Sequence, residues 1–192
     1  MLLAASAEAH DRITGIHLRG VRALTEALAC ELGHGEDEAR EMGLAAVLHD
    51  IGKIWVPDSI LTIPRALNAE DWGVVKRHTI WAEEFLGGRP EFALAAAIAR
   101  SHHERWDGGG YPDGLTGEAI PAAATIVTVA DSFDAITHDR PYRARRSVGE
   151  AIREVVACSR TQFSPRVVHA LLRLYERGAL SAMDDGELEA AA

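Results

Sequence analysis

Apolar residues recur every three or four positions along most of the chain, which is the spacing of one face of an α-helix. A first helix is predicted from residue 16 to residue 32, and Gly33 supplies its stop. A second helix is predicted from about Glu36 toward Ile51 and Gly52, with acidic residues in its first turn. The apolar face of the first helix is formed by Val21, Leu24, Leu28 and Leu32.

Signals for helix starts and ends recur downstream. Asn68 can cap a helix that ends at the pair Gly87-Gly88. Pro90 suits the first turn of an alanine-rich helix that reaches about His102. These signals predict two further helices in the middle of the chain.

Two C-terminal helices are marked more clearly. Ser147 and Glu150 form a capping box before one of them. Ser164 precedes Pro165 at the first position of the other, and Gly178 closes it. Both ends of the last helix are therefore predicted from single residues.

Residues 125–129 are β-branched and would be assigned to a strand on propensity alone. A helix is predicted instead, because Pro121 can open one and because three apolar residues share a helical face. These residues are Ile126, Val129 and Phe133.

Together these elements predict an all-α fold in a single helical bundle. The sequence has no internal repeat and no linker rich in Pro, Gly or Ser, so one domain is expected over residues 16–180. Residues 1–15 are interpreted as a lead-in, either the end of a linker or a truncated upstream region. Residues 181–192 are interpreted as a frayed acidic tail.

The composition narrows the class of protein. With 192 residues, of which 47% are hydrophobic and 26% charged, the chain can fill one large core. Its net charge of −9 argues against binding to long nucleic acid or to an anionic membrane surface. The apolar runs are far shorter than the ~20 residues of a membrane span. Cys30 and Cys158 lie far apart, as expected for reduced thiols in a cytoplasmic protein.

Nine histidines are unusual at this length, and some occur in the pairs His49-Asp50 and His102-His103. Imidazole and carboxylate together suit iron, manganese, zinc or nickel, and the lack of a nearby cysteine disfavours a structural zinc finger. Asp50 is the best candidate to bridge two ions, which lie ~3.5–4 Å apart in two-metal hydrolases. An isolated histidine such as His138 is interpreted as a surface or capping residue. The clustered candidates are His17, His49, Asp50, His78, His102, His103 and Asp131.

Residues 102–114 read HHERWDGGGYPDG and contain dense glycine. One interpretation is a surface hairpin, because five glycines and a proline between Trp106 and Gly117 predict a loop. Glycine also lets backbone amides approach a phosphate group closely. Taken alone, the segment leaves both interpretations open.

The motifs HDIGK at 49–53, His78, HHERWDGGGYPDGL at 102–115 and VADSFDAITHDRPYR at 129–143 follow one another in this order. This order resembles the HD-GYP family, the cyclic di-GMP phosphodiesterase branch of the HD superfamily. The resemblance covers roughly residues 16–170. It implies an HD-superfamily helical bundle with a metal centre inside and hydrolysis of cyclic di-GMP to pGpG or GMP. It also implies iron or manganese, with zinc, nickel and cobalt as alternatives.

The resemblance further assigns residues to roles. Asp50 and Lys53 match catalytic positions, with the lysine next to the scissile phosphate. The implied mechanism is metal-assisted hydrolysis, in which two divalent cations activate a water molecule. One ion would be bound by His17, His49, Asp50 and Asp131, and the other by Asp50, His78, His102 and His103. Substrate contacts would come from Gly110, Tyr111, Pro112, Asp134, Arg140 and Arg143.

Three departures from the family pattern affect this interpretation. Trinuclear members carry a glutamate at the position of Ile13, so two metals are predicted here. The family's Lys-Pro-Gly reads Ile-Pro-Arg at 63–65, which removes a positive charge that could help hold the substrate. The late Phe-Asp-Pro reads Phe-Ser-Pro at 163–165. None of these changes removes an expected ligand of a binuclear centre.

Two other hypotheses remain at this stage. The altered segments 63–65 and 163–165 motivate a receptor or adaptor that binds cyclic di-GMP, or a diguanylate cyclase domain, without turnover. Hydrolysis of another nucleotide, such as a dNTP or ppGpp, is disfavoured by the long GYP loop, which comprises residues 102–115. HD-GYP domains commonly follow a sensory or receiver domain, which is a further expected partner. The sequence does not fix the oligomeric state.

Overall fold

A computed structural model describes residues 14–62, 65–139 and 145–180. Within these ranges the secondary structure is helical and contains no β-strand, which confirms the all-α prediction. Short 3-10 segments cover Ile51–Trp55, Pro90–Phe92 and Gly117–Ala119. The α-helices are α1 (Thr14–Glu31), α2 (Glu36–Ala46), α3 (Asp58–Leu61), α4 (Ala69–Lys76), α5 (His78–Leu86), α6 (Ala93–Ser101), α7 (Ala122–Thr137), α8 (Val148–Ala157) and α9 (Pro165–Glu176).

Several sequence predictions concern residues outside those described. They include the metal count inferred from Ile13, residues 63 and 64 of the altered segment 63–65, and the acidic tail at 181–192. The two substrate-binding candidates Arg140 and Arg143 also lie outside the described residues.

Helix α1 packs against α2, α7 and α9. Its predicted apolar face is buried, with Val21, Leu24 and Leu28 each at most 1% exposed. Burying one such aliphatic side chain is worth about 1.5–3 kcal/mol. The face of α1 therefore anchors the helices that carry the candidate site.

The β-branched segment at 125–129 lies inside α7. Ile126, Val129 and Phe133 are almost fully buried, as the predicted helical face requires. Burial on both α1 and α9 outweighs the local preference of these residues for a strand. The helix prediction is confirmed.

The helix caps predicted at Asn68 and Ser147 both form. The Asn68 side chain accepts a hydrogen bond from the Asp71 backbone N–H, and the Asp71 carboxylate accepts one from the Asn68 N–H. Ser147 and Glu150 form the same reciprocal capping box at the start of α8. Each cap contributes typically about 1 kcal/mol.

Two helix boundaries differ from the prediction. The second helix ends at Ala46, and the chain then tightens into turns and a 3-10 segment that begins at Ile51. The helix expected to run from Asn68 to Gly87 is divided at Arg77 into α4 and α5. Both breaks immediately precede histidines of the candidate site, so they decide where those imidazoles point.

None of the helices in the described part of the chain is long and apolar enough to cross a membrane. Cys30 and Cys158 are both free, in agreement with the expected reduced thiols.

Candidate metal centre

Side chains that are far apart in sequence converge in two neighbouring sets inside the bundle. Within each set, one ligand atom of every residue lies within 4.8 Å of the corresponding atoms of the others. The His17 set consists of His17, His49 and Asp131. The His78 set consists of Asp50, His78, His102 and His103. The structure thus brings together all seven residues that the sequence singled out as candidate metal ligands.

Asp50 connects the two sets. Its Oδ1 lies 3.3 Å from Nε2 of His78 and 3.7 Å from Nε2 of His102. Its Oδ2 lies 3.3 Å from Nε2 of His49, which belongs to the other set. One carboxylate therefore faces both sets, each with a different oxygen, as a bridging ligand would.

Three of the imidazoles are oriented by the same kind of local hydrogen bond to a backbone carbonyl. Each lies at or just after a helix end or helix break. The imidazole Nδ1–H donates to the carbonyl three residues earlier, which fixes the tautomer and turns Nε2 toward the centre. The donor and acceptor pairs are His49 with Ala46 at 2.8 Å, His78 with Val75 at 2.7 Å and His102 with Ala99 at 2.9 Å.

The atoms that point into the centre have no hydrogen-bond partner among the described residues. They are Nε2 of His49, Nε2 of His78, Nε2 of His102 and Oδ1 of Asp50, all of them buried. Leaving four buried polar atoms unpaired would be costly, and such groups normally have partners. Lone pairs on nitrogen and oxygen that meet in one place fit a first-row transition-metal ion.

The electrostatics of the centre favour a bound cation. Burial would raise the pKa of Asp50, but Lys53 and His49 hold it well below its usual value, so the carboxylate is ionised. Burial lowers the pKa of His102 and of His103, which keeps these imidazoles neutral. Burial would also lower the pKa of His49, yet the Asp50 and Asp131 carboxylates outweigh it and raise that pKa to about 9.

Asp134 does not lie where the sequence interpretation put it. It was expected to contact the nucleotide, but its side chain is buried and its Oδ2 accepts a 2.6 Å hydrogen bond from Nδ1 of His17. A Cβ at Gly20 would lie 2.0 Å from Oδ1 of Asp134, so only glycine permits this approach of α1 and α7. We therefore reassign Asp134 to the positioning of His17.

His138 is the C-cap residue of α7, in agreement with its interpretation as a surface or capping residue. Its Nδ1 lies 3.2 Å from Oδ1 of Asp134, on the side of the carboxylate away from the His17 contact. Burial would raise the pKa of Asp134, but the hydrogen bonds from His138 and His17 lower it. The four-residue spacing of Asp134 and His138 is the signal in the sequence for this contact.

The GYP loop reaches the centre through Tyr111. The ring of Tyr111 stacks on that of His103, with 4.8 Å between centroids and 26° between planes. Burial raises the pKa of the Tyr111 hydroxyl, with smaller contributions from Asp50 and Asp131. Gly110 packs against the backbone of Arg105, and Pro112 follows Tyr111 in a cis peptide.

A residue that the sequence interpretation missed holds this loop in place. Glu104 is 1% exposed, and its carboxylate accepts hydrogen bonds from three consecutive backbone amides at the far end of the loop. The donors are Asp113 at 2.7 Å, Gly114 at 3.1 Å and Leu115 at 3.1 Å. An acidic residue directly after the His102-His103 pair was the available signal.

Lys53 lies beside the centre. Its ammonium contacts Oδ2 of Asp50, and its side chain is 34% exposed, so it spans from the buried carboxylate to solvent. Asp131 and His103 are also partly accessible, and 25% of the Asp131 side chain is exposed. The groups at the opening of the centre thus include one cation and one carboxylate.

Comparison with known proteins agrees with this arrangement. The family model for the HD domain matches residues 2–167. A cyclic di-GMP phosphodiesterase of Thermotoga maritima is 44% identical over 169 residues, covering 87% of this chain and 46% of the relative. The cyclic di-GMP phosphodiesterase response regulator RpfG of Xanthomonas campestris is 43% identical, covering 89% and 46%. A 3'3'-cGAMP-specific phosphodiesterase of Vibrio cholerae is 38% identical, covering 91% and 34%.

The chain spans about half the length, or less, of these curated relatives. Among solved structures, a cyclic GMP-AMP specific phosphodiesterase of V. cholerae shares the fold with a TM-score of 0.70 at 20% identity, covering 90% of this chain and 47% of that one. The PgpH HD domain of L. monocytogenes, solved with cyclic-di-AMP, gives 0.60 at 14% identity, covering 94% and 96%. The chain belongs to the HD domain family and, with its HDIGK and GYP motifs, to the HD-GYP branch.

Proposed function

We propose that this chain is a metal-dependent phosphodiesterase that hydrolyses cyclic di-GMP to pGpG or GMP. The observation that carries the proposal is the position of Asp50, whose two oxygens face two separate sets of buried ligand atoms. Relatives that cover most of this chain are named as phosphodiesterases of cyclic di-GMP and of 3'3'-cGAMP. Geometry supports the metal centre, and the relatives support the class of substrate.

Two ions would be held by the residues that converge in the bundle. One would take the His17 set together with Oδ2 of Asp50, and the other would take the His78 set. When bound, iron or manganese would supply a water molecule activated near neutral pH and positive charge beside the phosphate oxygens. The mixture of imidazole and carboxylate suits both metals.

The protein's own groups then perform three tasks. Lys53 balances the charge of Asp50 and extends its ammonium to the opening, where it can contact an oxygen of the scissile phosphate. Tyr111 covers His103 and excludes water from that side of the centre. The buried hydrogen bonds to Nδ1 hold the imidazoles in one orientation, so no reorganisation is needed when the substrate binds.

The test combines metal analysis with product analysis. Protein purified without oxygen and loaded with Mn²⁺ or Fe²⁺ is expected to hold two ions per chain and to convert cyclic di-GMP to pGpG or GMP. Chromatography of the products separates these two outcomes. Parallel reactions with 3'3'-cGAMP and cyclic di-AMP define the specificity, because a relative at 38% identity is named for cGAMP.

Two results would overturn the proposal. Protein that holds two metal ions and binds cyclic di-GMP but releases no linear product would be a receptor. Hydrolysis of a dNTP or ppGpp, without hydrolysis of any cyclic dinucleotide, would place the chain among the other HD hydrolases.

A further inference from the structure

Lys76 places a second positive charge at the edge of the candidate metal centre. It lies in the last turn of α4, two residues before His78, and is exposed. Its ammonium lies over the Tyr111 ring, 5.1 Å from the centroid. Since Tyr111 stacks on His103 at 4.8 Å, the ammonium is within about 10 Å of the His103 ring.

The charge of Lys53, the other lysine of the chain, is already matched by a carboxylate, because its ammonium contacts Asp50. In the ranges that the structure describes, Lys76 forms no ion pair with a carboxylate, and its ammonium contacts the Tyr111 ring. Its three N–H donors are therefore accessible to a bound anion.

A cyclic dinucleotide offers a second anionic group to such a charge. It carries two phosphodiesters in one ring, so that when one lies at the metal centre the other must lie close by. The chain itself has a net charge of −9, and a dianionic substrate approaches the carboxylates Asp50 and Asp131. An ammonium at the rim offsets part of this repulsion and can donate hydrogen bonds to phosphate oxygens while it keeps its contact with the ring.

We propose that Lys76 is a substrate-binding residue that holds the phosphodiester not undergoing cleavage, an inference that rests on the proposed cyclic-dinucleotide phosphodiesterase activity. Lys53 contacts Asp50, next to the phosphate that would be cleaved. Lys76 lies over the Tyr111 ring, and Tyr111 in turn stacks on His103. Of the two lysines in the sequence, Lys53 would contact the phosphate that is cleaved and Lys76 the other phosphate. Lys76 acts on binding, and the chemical step does not involve it.

The test compares Lys76→Met with Arg77→Met in the Mn²⁺-loaded protein. Both variants remove one exposed positive charge from the same helix turn, but the Arg77 guanidinium lies over Trp81, 4.8 Å from its ring centroid. Loss of a charged hydrogen bond predicts that Lys76→Met raises both KM and the equilibrium Kd for cyclic di-GMP about 10-fold, with kcat within about 2-fold of wild type. Arg77→Met should change neither constant, and Lys76→Arg should restore most of the affinity.

A cation in the last turn of a helix also interacts favourably with the helix dipole. If that were the whole role of Lys76, its replacement would lower the melting temperature and leave KM and Kd unchanged, which would overturn the inference. A fall in kcat without a rise in Kd would also overturn it. Either result would leave the proposed function intact if the wild-type protein still hydrolysed cyclic di-GMP. Wild-type protein that neither binds nor hydrolyses a cyclic dinucleotide would refute both proposals.

Discussion

Asp134 on α7 accepts a 2.6 Å hydrogen bond from Nδ1 of His17 on α1, although 117 positions separate the two residues. The bond fixes the tautomer of His17 and directs its Nε2 toward Asp131, 3.5 Å away. Such outer contacts typically change metal affinity about 10–100-fold. Asp134→Ala is therefore expected to weaken retention of the ion at the His17 set by about that factor, measured by chelator competition.

The matched variant is Asp134→Asn, which keeps an acceptor oxygen toward His17 but loses the charge. It should retain more metal than Asp134→Ala, and circular dichroism should show the same helix content in both. Equal metal affinity in wild type and Asp134→Ala would contradict the assigned positioning role.

Asp50 and Asp131 should differ in how many ions their loss removes. Because Asp50 faces both sets, Asp50→Asn should reduce bound metal from two ions per chain to none and abolish hydrolysis. Asp131 belongs to the His17 set alone, so Asp131→Asn should leave one ion. Elemental analysis after removal of free metal checks both values.

Metal removal from the wild type gives an independent readout. A ligand present at 100 times its Kd adds about 2.7 kcal/mol to the free energy of unfolding for each site. Mn²⁺ should therefore raise the melting temperature of wild-type protein strongly, that of Asp131→Asn less and that of Asp50→Asn hardly at all. The same shift in all three would argue against two sites joined by Asp50.

Glu104 should be required for the GYP loop. In Glu104→Gln one acceptor oxygen is replaced by an NH₂ group that faces backbone N–H donors, so at least one of the three bonds to the amides of 113–115 is lost. Hydrogen bonds to a charged group are worth about 1.5–3 kcal/mol, and the free energy of unfolding should fall by about that amount. Amide hydrogen exchange at 113–115 should accelerate. The exposed Glu118→Gln is the control, and equal exchange in both variants would exclude the loop role.

Gly52 permits the close approach that places Asp50 beside His78. A Cβ at residue 52 would lie 1.9 Å from the backbone oxygen of His78, so the segment would have to move. Gly52→Ala is expected to lower the free energy of unfolding by about 1–3 kcal/mol and to lower metal content.

The control for this substitution is Gly73→Ala. Gly73 lies within α4, and a Cβ there would meet nothing within 4 Å. Replacing a helical glycine by alanine should instead raise the free energy of unfolding by about 0.5–1 kcal/mol. Equal effects at the two positions, measured by urea unfolding, would contradict the steric account of Gly52.

Local signals predicted most of the helices, because caps and apolar spacing act within a few residues. Asn68 and Ser147 cap helices as expected, and α7 forms where Pro121 opens it. The boundaries near His49 and His78 were wrong, since those breaks depend on packing between elements. The 3-10 segment at 51–55 and α5, which follow these two breaks, contact each other.

The sequence by itself determined which residue types were available for a metal centre, and their motif order predicted the family. Only the tertiary structure decided that Asp50 faces both ligand sets and that Asp134 supports His17. It also decided that Glu104 holds the GYP loop and that Lys76 lies over Tyr111. The physical reason is the distance along the chain over which each kind of interaction acts. Helix caps depend on neighbours within one turn, whereas these contacts depend on how α1, α5, α6 and α7 pack, which no local pattern encodes.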